Sequence, residues 1–99
     1  MKFMVTWNIP DGNWLPVLKT FSSMSPAERA NYGDGVKPIG RWHDVVGRKG
    51  VVIVESNNLA AVQRYMGKWN PFMDLEVTPV VDDEEAATVY GQIVADNNA

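Results

Sequence analysis

Apolar and polar residues alternate along four short segments of the chain, which is the period-two pattern of β-strands. In the first segment Phe3, Val5 and Trp7 are more apolar than the residues between them, and the side of mixed polarity is the better candidate for contact with a second subunit. A glycine-bounded turn at residues 47–50 separates the middle two segments and predicts a β-hairpin. The predicted strands are residues 2–7, 36–46, 51–56 and 73–81.

Helical spacing of apolar residues predicts two helices that each bury one stripe. Asn13 precedes the first helix and Asn58 the second, and asparagine is a favoured N-cap. Ser25 and Glu28 have the spacing of a capping box, which predicts a short extra helix to about Tyr32. The stripes are Trp14, Leu15, Leu18 and Phe21 in the first helix and Leu59, Val62, Met66 and Trp69 in the second.

The order of these elements is βαββαβ, followed by a closing helix over residues 86–94. This order predicts an α+β, ferredoxin-like sheet with helices on one face and an appended C-terminal helix. In that topology the second and fourth strands form the edges of the sheet, where proline is tolerated. Pro38 and Pro79 fall in those two strands, and the predicted central strands contain no proline.

Composition is typical of one packed domain. The chain has 99 residues, 45% of them hydrophobic, which suits a single domain at residues 1–95 with a frayed tail at 96–99. A domain of this size buries a modest share of its surface, so a homodimer is an expected source of stability. The opening residues 1–7 are too short an apolar run for a membrane span or a signal-peptide core, and we expect a cytoplasmic protein without membrane contact.

Several function classes are disfavoured by the residue content. Without cysteine the chain has no disulfide, thiolate zinc site or cysteine nucleophile, and its single histidine argues against a multi-histidine metal site. The nine lysines and arginines are scattered, so nucleic-acid binding is not expected. The net charge is −3, and the four acids at 82–85 contribute −4, so the rest of the chain is close to neutral. These acids suit the first turn of a helix better than a metal site. No cofactor motif such as a glycine-rich phosphate loop is present.

The densest cluster of reactive side chains is Gly-Arg-Trp-His-Asp at residues 40–44. Strand alternation places Arg41 and His43 on one face and Trp42 on the other, so His43 and the following aspartate are not a dyad. If the hairpin closes through residues 47–50, His43 pairs with Val54, Trp42 pairs with Glu55, and Ser56 joins the face of Arg41 and His43.

His43 is the candidate catalytic residue, as a general acid or base or as a haem ligand. The alternative is a structural histidine bonded to a neighbour; the adjacent Arg41 favours its neutral form. Arg41 either clamps a ligand carboxylate or forms a salt bridge with Glu55. Asn70 either points into a pocket or ends its helix before Pro71.

Three tryptophans are candidates for the wall of a ligand pocket, with core or interface packing as the alternative. The candidate ligand-binding residues are Trp7, Arg41, Trp42, His43, Trp69 and Asn70.

Residues 1–7, 40–44, 68–70 and 74–80 together resemble an uncharacterised family of short dimeric α/β-barrel proteins, the domain of unknown function 3303 type. The resemblance covers most of the chain and implies a ferredoxin-like fold that pairs two sheets into a barrel. Its wider superfamily includes cofactor-independent monooxygenases, haem-handling enzymes, isomerases and effector-binding modules.

Three functions remain open from the sequence. The first is a homodimeric module that binds a small apolar or aromatic molecule between sheet and helices. The second is a cofactor-independent monooxygenase-like or isomerase-like enzyme with His43 as acid or base. The third is a structural or interaction protein without a ligand, in which the aromatic residues only hold the dimer.

Overall fold

The computed structural model describes residues 1–98 and contains one four-stranded antiparallel sheet. The strands are β1 (Lys2–Asn8), β2 (Lys37–Asp44), β3 (Lys49–Glu55) and β4 (Asp74–Val80). The helices are α1 (Trp14–Ser23), α2 (Pro26–Ala30), α3 (Leu59–Trp69) and α4 (Asp83–Asn98), and a short 3₁₀ turn (Asp11–Asn13) precedes α1. None of these helices has the length and apolar character needed to cross a bilayer.

The strand order β2-β3-β1-β4 confirms the predicted ferredoxin-like α+β fold. β1 lies in the centre and pairs antiparallel with both β3 and β4. Pro38 in β2 and Pro79 in β4 lie in the two edge strands, as expected for residues that cannot donate a ladder hydrogen bond.

The predicted register of the β2–β3 hairpin is wrong. Asp44 pairs with Lys49 and His43 with Gly50, not with Val54. The Asp44 carboxylate accepts a hydrogen bond of 2.8 Å from the Gly47 N–H, so the turn begins directly after Asp44 and occupies residues 45–48. Arg48 closes the turn in the left-handed region, with φ of 58°. Residues 45 and 46, predicted to extend the strand, are therefore exposed in the turn.

The core lies between one face of the sheet and α3. Phe3 and Val5 of β1, Val54 of β3 and Val62 of α3 are almost completely excluded from solvent. The Asn58 side chain accepts a hydrogen bond from the Ala61 N–H and caps α3 as predicted.

Ser56 does not join the surface of Arg41 and His43. Its buried hydroxyl donates to the Gly35 carbonyl at 2.6 Å. Ser56 directly follows β3, whereas His43 pairs with Gly50 near the start of that strand. The corrected register therefore separates the serine from the histidine.

The short helix α2 begins at the predicted capping box. The Ser25 hydroxyl accepts from the Glu28 N–H, and the Glu28 carboxylate accepts from the Ser25 N–H. Asn13 does not cap α1 through its side chain, although the sequence predicts that it would. The side-chain amide instead donates to the Phe72 carbonyl at 3.1 Å.

Helix α4 begins with the predicted acidic first turn and extends away from the sheet. The Asp82 carboxylate accepts from the Glu85 N–H at 3.0 Å, and this bond is the main cause of the lowered pKa of Asp82. No residue of α4 is buried. The radius of gyration is 16.5 Å, against about 13 Å for a compact chain of this length. The helix continues through Asn98, and Ala99 of the predicted frayed tail lies outside the described residues.

Candidate functional site: an aromatic pocket beneath α1

A pocket of about 650 Å³ lies between α1, α3 and the helix-facing side of the sheet; we call it the α1 pocket. Its outer rim includes exposed residues from α1 and from the β2–β3 turn, so it opens to solvent between them. Its buried wall consists of Trp7, Val17, Tyr32, Val52, Tyr65, Met66 and Met73.

The pocket exists because α1 stands away from the sheet. Val17 is the only buried residue of α1. Leu15, predicted to face the core, is 55% exposed. The stripe residues Trp14, Leu15, Leu18 and Phe21 all line the pocket. Thus the apolar side of α1 faces a space where a filled core was predicted.

Gly50 shapes the floor of the pocket. It pairs with Trp7 on one side and with His43 on the other. A Cβ at Gly50 would collide with the Trp7 indole and would lie 2.7 Å from the Trp42 carbonyl oxygen. Because glycine has no side chain, the Trp7 ring can lie across β3 and reach His43.

His43 lies at the pocket between two aromatic rings. Its imidazole meets the Trp7 indole edge-to-face, with centroids 5.4 Å apart, and the Phe21 ring at 5.0 Å. Partial burial, and secondarily the positive charge of Arg41, lower the pKa of His43 from its usual value. Both effects favour the neutral imidazole, and the effect of Arg41 agrees with the expectation from the sequence.

Arg41 is held by aromatic and neutral groups. Its guanidinium donates to the Tyr32 hydroxyl at 2.5 Å and to the Arg29 carbonyl at 3.0 Å. It also lies 4.9 Å from the centre of the Phe21 ring. The salt bridge considered with Glu55 is not formed. Within residues 1–98, carboxylates form ion pairs with Lys2 and Arg48, and neither pair includes Arg41.

Tyr32 remains protonated beside this arginine. Burial raises the pKa of Tyr32 to about 12, and the nearby charge of Arg41 offsets only part of that effect. The Tyr32 ring packs against Tyr65, with centroids 4.4 Å apart. The phenol hydroxyl therefore stays available as a neutral partner for the guanidinium.

Two further tryptophans line the pocket. Trp69 donates from its indole N–H to the Tyr65 hydroxyl at 3.3 Å. Trp14 has a buried indole Nε1 with no hydrogen-bond partner among the described residues. The Arg48 guanidinium lies 4.5 Å above the centre of the Trp14 ring and pairs with Asp11. The Nε1 atom itself is shielded from solvent, so it is a buried donor without a compensating hydrogen bond.

The structure brings together four of the six predicted ligand-binding residues: Trp7, Arg41, His43 and Trp69. Trp42 lies on the opposite face of the sheet, 60% exposed, with its ring over Gly40. Asn70 follows α3, and its side-chain amide donates to the Met73 carbonyl at 3.3 Å. These two residues do not line the α1 pocket.

Sequence reasoning missed several residues of the pocket wall. The helical stripe predicts core packing for Trp14 and Phe21, and no sequence pattern singles out Tyr32 or Tyr65. The size of the apolar residues on α1 gave no usable signal, because α3 also carries two large aromatic rings, Tyr65 and Trp69. Within residues 1–98, no group of three or more histidine, aspartate or glutamate side chains is placed to hold a metal ion.

Comparison with known families gives one result. The family described as "Domain of unknown function (DUF3303)" matches residues 1–94. The chain belongs to the DUF3303 family. No curated protein and no solved structure matches the chain. The DUF3303 description assigns no activity to its members.

Proposed function

We propose that this DUF3303 protein is a binding module for a small, largely apolar or aromatic molecule held in the α1 pocket. The observation that supports it best is a pocket of about 650 Å³ with an aromatic wall bordered by His43 and Arg41. Ligand sites are commonly apolar clefts of roughly 300 to 1,000 Å³ with a few convergent polar groups. The α1 pocket has this size and this composition.

Packing supports the same proposal. Protein interiors are close-packed, and a large apolar void removes favourable contacts from the residues around it. In this chain the void lies next to a well-packed core at Val54 and Val62, which are fully buried. A ligand that fills the pocket would restore those contacts beneath α1 and stabilise the folded chain.

A second candidate function is cofactor-independent acid or base catalysis. The supporting observation is His43, which borders the pocket and is mainly neutral at pH 7. The two functions differ in the effect of His43→Gln. An enzyme would lose turnover while retaining substrate affinity, whereas a binding module would change in affinity alone.

We also propose that the protein forms a homodimer. The chain exposes 6965 Å², whereas a compact monomer of 11.0 kDa exposes about 5,600 Å². The excess is greater than the roughly 800 Å² that each partner buries in a standard interface.

Two surfaces supply apolar area for that interface. The open face of the sheet presents Trp42 beside Val51 and Ile53. Helix α4 leaves a continuous apolar stripe uncovered, and most helical stability in proteins comes from packing of such a face. The stripe contains Ala86, Val89, Tyr90, Ile93 and Val94. A second copy of the chain carries the same two apolar surfaces, so it can cover both of them in a dimer.

Analytical ultracentrifugation tests the dimer. The full chain is expected to sediment as a dimer at micromolar concentration, and Trp42→Asp is expected to shift it towards monomer because a charge would be buried in the interface. Gln63→Asp, which adds the same charge at an exposed position of α3 on the other side of the sheet, is the control. A monomeric wild-type chain would contradict the proposal.

A cytoplasmic location stays a prediction.

Titration with 1-anilinonaphthalene-8-sulfonate, an aromatic dye, tests ligand binding. We expect saturable binding and an increase in the melting temperature with dye concentration. The absence of both effects at millimolar dye would contradict the proposal.

A further inference from the structure

The ionisable residues around the α1 pocket are strongly unbalanced in charge. Lys19, Arg41, Arg48 and Lys49 line it, and Asp44 is its acidic lining residue. The Asp44 carboxylate is already bonded to the Gly47 N–H in the turn. An otherwise apolar pocket therefore has cationic groups and little negative charge to balance them.

Arg41 is the cation best placed to hold a ligand. Lys19 and Lys49 are exposed at the rim, and Arg48 pairs with Asp11. Arg41 is partly buried, and its bonds go to a phenol and a backbone carbonyl, neither of which carries a negative charge. A guanidinium has five N–H donors, so donors remain free after these two bonds.

A partly buried cation without a counter-ion is unfavourable because its desolvation is not repaid by a nearby anion. A carboxylate can accept two parallel hydrogen bonds from a guanidinium, and such charge-assisted bonds are stronger than neutral ones. The surrounding rings of Phe21 and Tyr32 restrict the guanidinium and limit the entropy lost on binding.

We infer that the ligand of the α1 pocket is an aromatic monocarboxylate, with its ring against the aromatic wall and its carboxylate on Arg41. This inference rests on the proposed binding function and names the ligand class of the same site. The neutral imidazole of His43, between Trp7 and Phe21, adds a second polar group near the same strand face.

The test compares two probes of nearly identical shape, 1-naphthaleneacetate and 1-naphthaleneacetamide, by isothermal titration calorimetry at pH 7.5 and low salt. The carboxylate is expected to bind about tenfold more tightly than the amide, which corresponds to one charge-assisted contact. Arg41→Gln is expected to lower the affinity for the carboxylate to about that for the amide, which removes this difference. Cooperative urea unfolding of Arg41→Gln shows separately that the variant is folded. Arg64→Gln, on the exposed surface of α3, is the matched control and should retain the preference.

The outcomes separate the ligand class from the binding function. Equal affinity for the two probes would overturn the carboxylate inference and leave pocket binding standing. A carboxylate preference that persists in Arg41→Gln would overturn the role of Arg41. Failure of both probes to bind at millimolar concentration would overturn the inference together with the proposed function.

Discussion

Helices α1 and α3 cover the same face of one sheet, yet they meet it in different ways. Helix α3 buries Val62, Tyr65 and Met66, whereas α1 buries Val17 alone. The fully buried residues lie under α3, and the apolar stripe of α1 borders the α1 pocket. Two crossover helices with similar amphipathic patterns therefore build two different environments.

This difference implies that one set of residues determines the stability of the domain and another set determines ligand affinity. Val62 of α3 and Val54 beneath it are closely packed and do not line the pocket, so changes there should act mainly on the free energy of unfolding. The α1 side supplies an aromatic surface with unfilled space, so changes there should act mainly on ligand affinity.

The largest expected effect compares the same substitution in the two helices. Val62→Ala should cost roughly 2 to 3 kcal/mol of unfolding free energy, because two buried carbons are lost and a cavity remains. Val17→Ala should cost only about 1 kcal/mol, because its side chain already borders a space. Urea denaturation measures both changes. Equal losses would show that α1 packs as closely as α3.

A smaller effect is expected from filling the pocket. Leu18→Trp adds a large ring to the α1 side and should weaken binding of 1-anilinonaphthalene-8-sulfonate about tenfold, since the ring occupies the space that the dye needs. Leu59→Trp, at an exposed position of α3, is the matched control and should leave binding unchanged. Unchanged binding in Leu18→Trp would place the dye elsewhere.

The smallest effect concerns His43. Its pKa in the folded chain is lowered, so the unfolded chain binds the proton more readily. The stability contributed by the neutral form is complete above the unfolded pKa of about 6.5 and is lost as the pH falls through that value towards the folded pKa. His43→Gln should therefore flatten the acid limb of the stability curve, by a small amount because the partly exposed imidazole is screened by solvent.

The imidazole can also be observed directly. The chain has a single histidine, so its ring protons give one set of NMR titration signals. The midpoint should lie below the usual histidine value and should rise in Arg41→Gln, which removes the neighbouring charge. A midpoint at or above the usual value would contradict the placement of His43.

The fold was largely predictable because its signals are local. Period-two alternation, the capping box at Ser25 and the edge prolines Pro38 and Pro79 each reflect backbone chemistry within a few residues. The register of the hairpin was not predictable from glycine spacing, since the Asp44 carboxylate begins the turn and Arg48 adopts a left-handed conformation.

The pocket was only partly predictable for a similar reason. Strand alternation correctly placed Arg41 and His43 on one face and Trp42 on the other. A stripe of apolar residues on a helix has the same pattern whether it faces a filled core or a space. The separation between α1 and the sheet depends on how several elements pack together, and no short stretch of the sequence determines it.

The tryptophans allow the most direct test of the binding site. The chain has four; Trp7, Trp14 and Trp69 line the α1 pocket, and Trp42 lies on the opposite face of the sheet. In a ¹⁵N–¹H correlation spectrum each indole N–H gives a separate signal during titration with 1-naphthaleneacetate. We predict that the three pocket signals shift and that the Trp42 signal does not shift. A shift of Trp42 alone, or of none of the four, would contradict a binding site beneath α1.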